Sequence, residues 1–456
     1  MISCENDLFT LSNLTANIDK ILIPEDLNPM GEMADPLSNT KQPSTTDPDV
    51  NANANTSDSA VSAEISSDRT PSLGEMDHTQ TDTSPDLVGQ ARIYYMDAAR
   101  SILMLLGVFL HTARIYDTES SWLISDNTSS FFFDAVGYVI HTFRMPAFFI
   151  ISGFFCYMTL KKYPLTHFLK VRLSRIIVPL VSVAVLFNVT QIYVADYVAG
   201  SPRSWLEICL SRDYWGSRQW VAHLWFLNFL VIYFVVAAIA YQILCRFSFQ
   251  ANPLVKWLDQ LMNLRGYFLL LPLADVVWKA FTRFAGLLDY YILGFIRLEQ
   301  LVHYGLFFVL GFYFFNNRQA LAKFSKAQWW MVLAIIISGM IHWWLATHYD
   351  APWATAITIY LSTFVSLVAS ALVFHLFLTF FNQSSKLFYF LSDASYTTYL
   401  FHHLFVVCLG ALLLTIDLSI YLKYTLIVIL ASAVAILLHQ YLVLKIRPLR
   451  FLFNGK

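Results

Sequence analysis

The pattern of hydrophobic and polar positions changes character near residue 90. From Tyr95 onward, apolar stretches near the ~20 residues that a bilayer crossing requires recur ten times. They lie at about 97–116, 131–157, 176–195, 223–245, 266–282, 298–315, 327–347, 353–381, 395–415 and 420–444. The fifth is the least apolar, because Asp275 and Lys279 interrupt it. Residues 1–90 are instead rich in Ser, Thr, Asp, Asn and Pro, with the low-complexity run Asn51–Asn55. Such a segment cannot bury enough apolar surface to offset its ordering entropy. It also lacks the basic start and long apolar core of a secretory signal. The pattern therefore predicts a disordered acidic tail over 1–90 and an all-α polytopic membrane domain of about ten helices over 91–456.

Composition sharpens this division. The chain is 57% hydrophobic and 13% charged, displaced toward lipid from the soluble average of roughly half apolar and a quarter charged. A net charge of −1 conceals 16 acidic and 3 basic residues in 1–90 against 15 and 27 beyond. The basic residues are dispersed between apolar runs, which argues against a nucleic-acid surface. Five cysteines without CxxC or metal spacing argue against a disulfide or zinc scaffold. Lys and Arg gather after the second, fourth, sixth and tenth stretches, at Lys161, Lys162, Lys170, Arg172 and Arg175, then at Arg246, Lys256 and Arg265, then at Arg318, Lys323 and Lys326, and finally at Lys445, Arg447 and Arg450. Because such residues favour the cytoplasmic side, both ends of the membrane domain are expected inside.

The sharpest chemical pattern lies in the first stretch. Eleven helical steps from Arg100 to His111 total 1100°, about 20° from three whole turns. Asp97, Arg100, Met104, Gly107, His111 and Arg114 thus share one face, with His111 about 16 Å beyond Arg100. Ionisable groups in a span are costly and normally face a bundle interior or a wet cavity. The alternative makes Asp97 and Arg100 interfacial anchors, with Arg100 snorkelling, and His111 a packing residue. Four ionisable groups on one stripe favour function.

The second stretch carries His141 and Arg144 one turn apart, followed by Pro146, whose missing N–H suits a cavity-lining helix. Arg144 at mid-bilayer needs a partner or a ligand; Asp134 and Asp275 are candidate partners. Small residues Ser152 and Gly153 suit close helix contact. Arg172 and Arg175 open the third stretch, either gripping phosphates or anchoring the inner boundary. His223 and Trp225 open the fourth at its outer edge. In the ninth, Tyr396, Tyr399 and His403 share one face with His402 beside them. Since adjacent residues point to different faces, one histidine is expected at the site and the other in packing. His303, His342, His375 and His439 are scattered and read as packing.

Together these motifs resemble the acyltransferase-3 family of integral membrane acyltransferases. Arg100 and His111, with ten residues between them, match its Arg-x10-His signature. The sequences around Tyr95–Arg100, His141–Met145, Phe148–Phe154, Arg172–Arg175, His223–Leu227 and Tyr399–His403, and the C-terminal Pro448–Lys456, are most similar to the members that succinylate osmoregulated periplasmic glucans. The likeness covers about 92–456; the acidic tail departs from it.

The resemblance implies transfer of an acyl group, succinyl for the glucan-modifying members, from cytosolic acyl-CoA to a glycan hydroxyl across a bacterial inner membrane. It requires no bound cofactor or metal. His111, Arg100, Arg144 and Asp97 become the catalytic candidates. Arg114, His141, Arg172, Arg175, His223, Trp225, His402 and His403 become the substrate-binding candidates. His111 would act as general base or acyl relay. Other glucan-synthesis proteins are implied partners. Two further readings remain at this level: an acetyltransferase acting on O-antigen or peptidoglycan, and a transporter of acyl donors or lipid-linked glycans. The second lacks the internal repeat that many transporters carry.

Overall fold

In the computed structural model the described residues are 93–455, apart from 120–121, 217, 247–252, 265 and 288. The expected acidic tail, 1–90, lies outside the described residues. The first four predicted stretches form α1 (Tyr94–Ala113), α2 (Phe131–Lys162), α3 (Leu165–Val183), which continues through a π-helical turn at Ala184–Asn188 into α4 (Val189–Val198), and, after α5 (Trp205–Leu210) and α6 (Arg212–Gly216), α7 (Trp225–Arg246). There follow α8 (Pro253–Asn263), α9 (Tyr267–Phe284), a two-residue antiparallel hairpin β1 (Tyr291–Ile292) and β2 (Ile296–Arg297), α10 (Leu298–Asn316) and α11 (Arg318–Phe324). The chain closes with α12 (Trp329–His348), α13 (Pro352–Phe380), α14 (Lys386–Leu414), α15 (Ile420–Leu438), a second π-helical turn at His439–Val443, and α16 (Arg447–Asn454).

Local chemistry explains several boundaries. Ser130 caps α2 by accepting from the Phe132 amide, and Ser385 caps α14 by accepting from the Phe388 amide; both satisfy an orphan donor of the first turn. Pro352 starts α13, where a missing N–H costs nothing. Pro146 lies inside α2, which nevertheless runs unbroken past it.

Among the described residues, nine helices are long and apolar enough to cross a membrane. The fifth predicted stretch differs. It forms α9, but Asp275, Lys279 and Arg283 keep it out of that set. Its Asp275 and Lys279 are buried and tied to neighbours. The Asp275 carboxylate meets Lys279 Nζ at 3.4 Å and His303 Nδ1 at 2.9 Å, and accepts the Thr363 hydroxyl at 2.7 Å. Lys279 also reaches Glu299, which pairs with Arg297. Apart from Arg283 in its last turn, the outward positions, including Leu269, Leu270, Leu273, Val277, Phe281 and Phe284, are exposed and apolar. A buried ion network thus lets a charged helix show a hydrocarbon surface. His303 belongs to this network rather than to apolar packing.

The core runs along α2, with Met145, Phe148, Phe149, Ile150 and Phe154 all buried. Against it lies α10 at very short range: a Cβ on Gly153 would sit 1.9 Å from the Phe308 carbonyl oxygen, and one on Gly311 1.8 Å from that of Ile150. The expected close contact at Gly153 is therefore present, with Gly311 as its counterpart. On the other side α1 packs against both α2 and α14, which carries the Arg100–His111 face into the protein.

Candidate active site

Four imidazoles meet where α1, α14 and the turn before α7 converge. His111, His223, His402 and His403 are each at most 1% exposed. The His111 ring lies 5.3 Å from that of His402 and 4.7 Å from that of His403, centroid to centroid. His223 stacks on His403 at 4.7 Å and meets His402 at 5.6 Å. The expectation that only one of His402 and His403 would reach the site is thus overturned. Consecutive helical side chains diverge by about 100°, and here they form a fork, 6.2 Å between rings. His111 from α1 and His223 from the other side fill the fork. Among the described residues neither ring nitrogen of His111 has a hydrogen-bond partner.

Two of the rings are held by hydrogen bonds whose polarity can be worked out. His402 Nδ1 lies 2.6 Å from the Tyr399 carbonyl oxygen and 3.2 Å from that of Thr398. Carbonyls only accept, so Nδ1 carries the proton and Nε2 the lone pair. His403 Nδ1 lies 2.6 Å from Gln191 Oε1. Gln191 Nε2 donates to Asn188 Oδ1 at 3.2 Å, and Asn188 Nδ2 donates to the Trp220 carbonyl at 2.7 Å. Asn188 closes the π-helical turn between α3 and α4, a local widening found often at functional sites. Both amides are buried at 0% exposure. The Tyr399 hydroxyl donates to the His223 carbonyl at 3.3 Å.

Trp122, in the connection after α1, closes one side of the cluster. It stacks on His111 at 6.1 Å with 24° between planes and meets His403 edge-on at 5.2 Å. Because Trp122 is only half-buried, it stands between the imidazoles and the surface.

Arg144 is fully buried, and its charge acts on His111, His402 and His141. Tyr304 and Tyr399 lie within reach of the same charge. The acidic partners suggested from sequence are engaged elsewhere: Asp134 accepts from the Thr118 amide and hydroxyl, and Asp275 belongs to the network of α9. Arg144 therefore adds a cation to the imidazole side of the site, with His141 one turn before it.

The rest of the predicted set is distributed differently. Arg100 reaches Asp97 at 3.6 Å and the Ser392 hydroxyl on α14. Helical rise places this group about 16 Å from His111, so one stripe of α1 serves two locations. Arg172 donates to the Thr159 hydroxyl at 2.6 Å, and the Arg175 carbonyl accepts from Tyr396 at 2.8 Å. Arg114 pairs with Asp117 at 3.1 Å and Glu119 at 3.3 Å, binding the first turn of the following loop. Trp225 joins an aromatic layer with Phe149, Phe229 and Tyr304. Among the described residues, no group of three or more His, Cys, Asp or Glu side chains is arranged to hold a metal ion.

Sequence reasoning passed over Trp122, Asn188, Gln191 and Ser392. The amides left a readable signal: Asn188 and Gln191, one turn apart, are polar residues on one face of an otherwise apolar span. Trp122 left none, since a loop tryptophan has no periodicity to betray its direction.

Comparison with known proteins supplies the remaining context. Residues 93–440 match the acyltransferase domain of the acyltransferase-3 family. The chain is 29% identical over 374 residues to "Glucans biosynthesis protein C" of Escherichia coli K12, covering 80% of this chain and 95% of that protein. The proteins of that name from Shigella dysenteriae serotype 1 and Salmonella paratyphi B match with the same identity and coverage. No solved structure matches the chain.

Proposed function

The chain belongs to the acyltransferase-3 family of membrane O-acyltransferases, and from that premise we propose that it moves a succinyl group from cytosolic succinyl-CoA to hydroxyls of periplasmic glucans in a bacterial inner membrane. The observation that carries the reading is His111. It is a buried imidazole with both nitrogens open among the described residues, ringed by three further imidazoles and the Arg144 cation. The similarity to glucans biosynthesis protein C supports the glucan acceptor.

In this reading α9 is the tenth crossing, both ends of the membrane domain are cytoplasmic, and Arg100, Arg172 and Arg175 lie at the cytoplasmic end. There they meet the phosphates of the donor, as guanidinium groups do well. The thioester extends along α1 toward His111. A glucan hydroxyl arrives from the opposite side, past Trp122 and His223. His111 accepts the hydroxyl proton as the oxygen bonds to the thioester carbonyl carbon. The C–S bond then breaks, and the departing thiolate takes up that proton, which returns His111 to its neutral form. Imidazole suits such transfers because its unperturbed pKa lies near neutrality. His402 orients the acceptor beside this centre, and Arg144 holds the free carboxylate of the succinyl group.

The test is mass spectrometry of periplasmic glucans from cells carrying the wild-type chain, no chain, or His111→Ala. General acid–base groups contribute roughly 10²–10⁴-fold, so succinyl substitution should vanish in both altered strains while His111→Ala is still inserted and monodisperse in detergent. Glucans unchanged by deletion would overturn the acceptor assignment. Succinylation retained by His111→Ala would overturn the base.

A further inference from the structure

The amide pair beneath His403 forms a one-way hydrogen-bond chain, and its direction has chemical content. The Trp220 carbonyl can only accept, so Asn188 must present Nδ2 to it, at 2.7 Å. That leaves Asn188 Oδ1 to accept from Gln191 Nε2 at 3.2 Å. Gln191 Oε1 is then the group facing His403 Nδ1 at 2.6 Å, and an amide oxygen only accepts. The neutral His403 is thereby fixed with its proton on Nδ1 and its lone pair on Nε2. The anchor is a backbone carbonyl, and both amides are held on the π-helical turn and the helix after it. The chain cannot reverse without leaving two acceptors face to face in a buried site, which is costly.

We propose that Gln191, backed by Asn188, is a positioning residue that locks His403 as a hydrogen-bond acceptor for His111. This rests on His111 acting as base. An imidazole that receives a proton on one nitrogen must place the N–H of the other somewhere. The His403 ring lies 4.7 Å away at 71°, and its Nε2 is the acceptor assigned to that N–H once the His111 ring turns toward it. The task resembles that of the buried carboxylate in a serine hydrolase triad, performed here by a neutral ring whose tautomer is set two residues away. His403 also faces the His223 and His402 rings, and the Arg144 charge acts on His111 and His402. In so cationic a setting a ring with a fixed lone pair avoids adding another positive charge. Two histidines with undirected protons would not.

The experiment uses the full chain in nanodiscs with succinyl-CoA and unsubstituted periplasmic glucan. Gln191→Met keeps the volume but removes the acceptor, and should lower kcat about ten- to a hundredfold, as loss of an orienting partner typically does, with KM for both substrates unchanged. Gln191→Glu in its carboxylic acid form presents an acceptor to His403 and a donor to Asn188, and should recover most of that loss only below the pH at which the carboxyl ionises. If Gln191 acts through His403, adding Gln191→Met to His403→Ala should lower kcat no further, because coupled residues are non-additive. Wild-type kcat in Gln191→Met, or multiplied losses in the double variant, would overturn the proposal. Should Gln191→Met be poorly folded, the loss of kcat in Gln191→Glu as its carboxyl ionises, and its absence in His403→Ala/Gln191→Glu, decide by the same rule. A fully active His111→Ala would instead overturn the base assignment itself, so the two failures are told apart.

Discussion

If Arg144 holds the succinyl carboxylate as proposed, its replacement separates donor recognition from acyl transfer in general. It is the largest fully buried charged side chain of the site, and its guanidinium matches a carboxylate fork to fork. Acetyl-CoA has no such carboxylate. Hydrogen bonds to charged groups contribute about 1.5–3 kcal/mol, which is about ten- to a hundredfold in affinity. Arg144→Gln should therefore lower kcat/KM for succinyl-CoA by about that factor and change the value for acetyl-CoA much less. Equal losses with the two donors in a steady-state comparison would place Arg144 at the reacting carbonyl instead. The residues at the centre of the site were legible because each is an ionisable group inside an apolar run, where membrane cost alone marks it. Their arrangement was not. A helical wheel treats side chains as radial and so assigns His402 and His403 to different neighbours. It has no means of showing that His111 from another helix wedges between them. Neutral amides such as Gln191 cost less in a span than charges do, and drew correspondingly little notice.

At the scale of elements, the contact between α2 and α10 constrains the site most tightly, because α2 carries His141 and Arg144 while α10 carries Tyr304. Gly311 admits the Ile150 carbonyl at a distance where a Cβ would stand only 1.8 Å away, and backbone cannot yield as a flexible side chain can. Overpacking of this kind costs about 1–3 kcal/mol. Gly311→Ala should lower the thermal midpoint in detergent by several degrees and reduce turnover through a displaced Arg144. Gly339→Ala in α12 is the matched control. Nothing lies within 4 Å of its added Cβ, and alanine favours a helix by about 1 kcal/mol, so its midpoint should hold or rise. A fall at Gly339 equal to that at Gly311 would remove the packing explanation. The apolar periodicity marked every spanning helix, and Gly153 was read as a contact point. The partner at Gly311 was beyond reach, since a single chain position says nothing about which helix will approach it. The fifth stretch shows a related limit. Its charges count against insertion only until Glu299, His303 and Thr363 on other helices are known to take them up.

For the whole molecule, the proposed function makes the separation of Arg100 from His111 along α1 set the direction of the reaction. A donor whose phosphates are gripped at one end and whose thioester reacts about 16 Å deeper can be loaded only from the Arg100 side. The acceptor must come to His111 from the other side, past Trp122. If Lys- and Arg-rich connections are cytoplasmic, sealed inside-out vesicles should acylate enclosed glucan when succinyl-CoA is added outside. Right-side-out vesicles given the same donor should remain inactive until they are permeabilised. Turnover in intact right-side-out vesicles would reverse the orientation of every crossing at once, because a chain of alternating crossings has no independent local choice. The same preparations test the even number of crossings. A cysteine introduced at Thr128, after α1, and one introduced at Lys326, between α11 and α12, both exposed positions, should react with impermeant maleimide in opposite vesicle types. If α9 did not cross, both would be labelled from one side, and the charged helix would have to lie in the interface with its ion network intact. The exposed apolar row from Leu269 to Phe284 favours the crossing, since in the interface half of that row would face water.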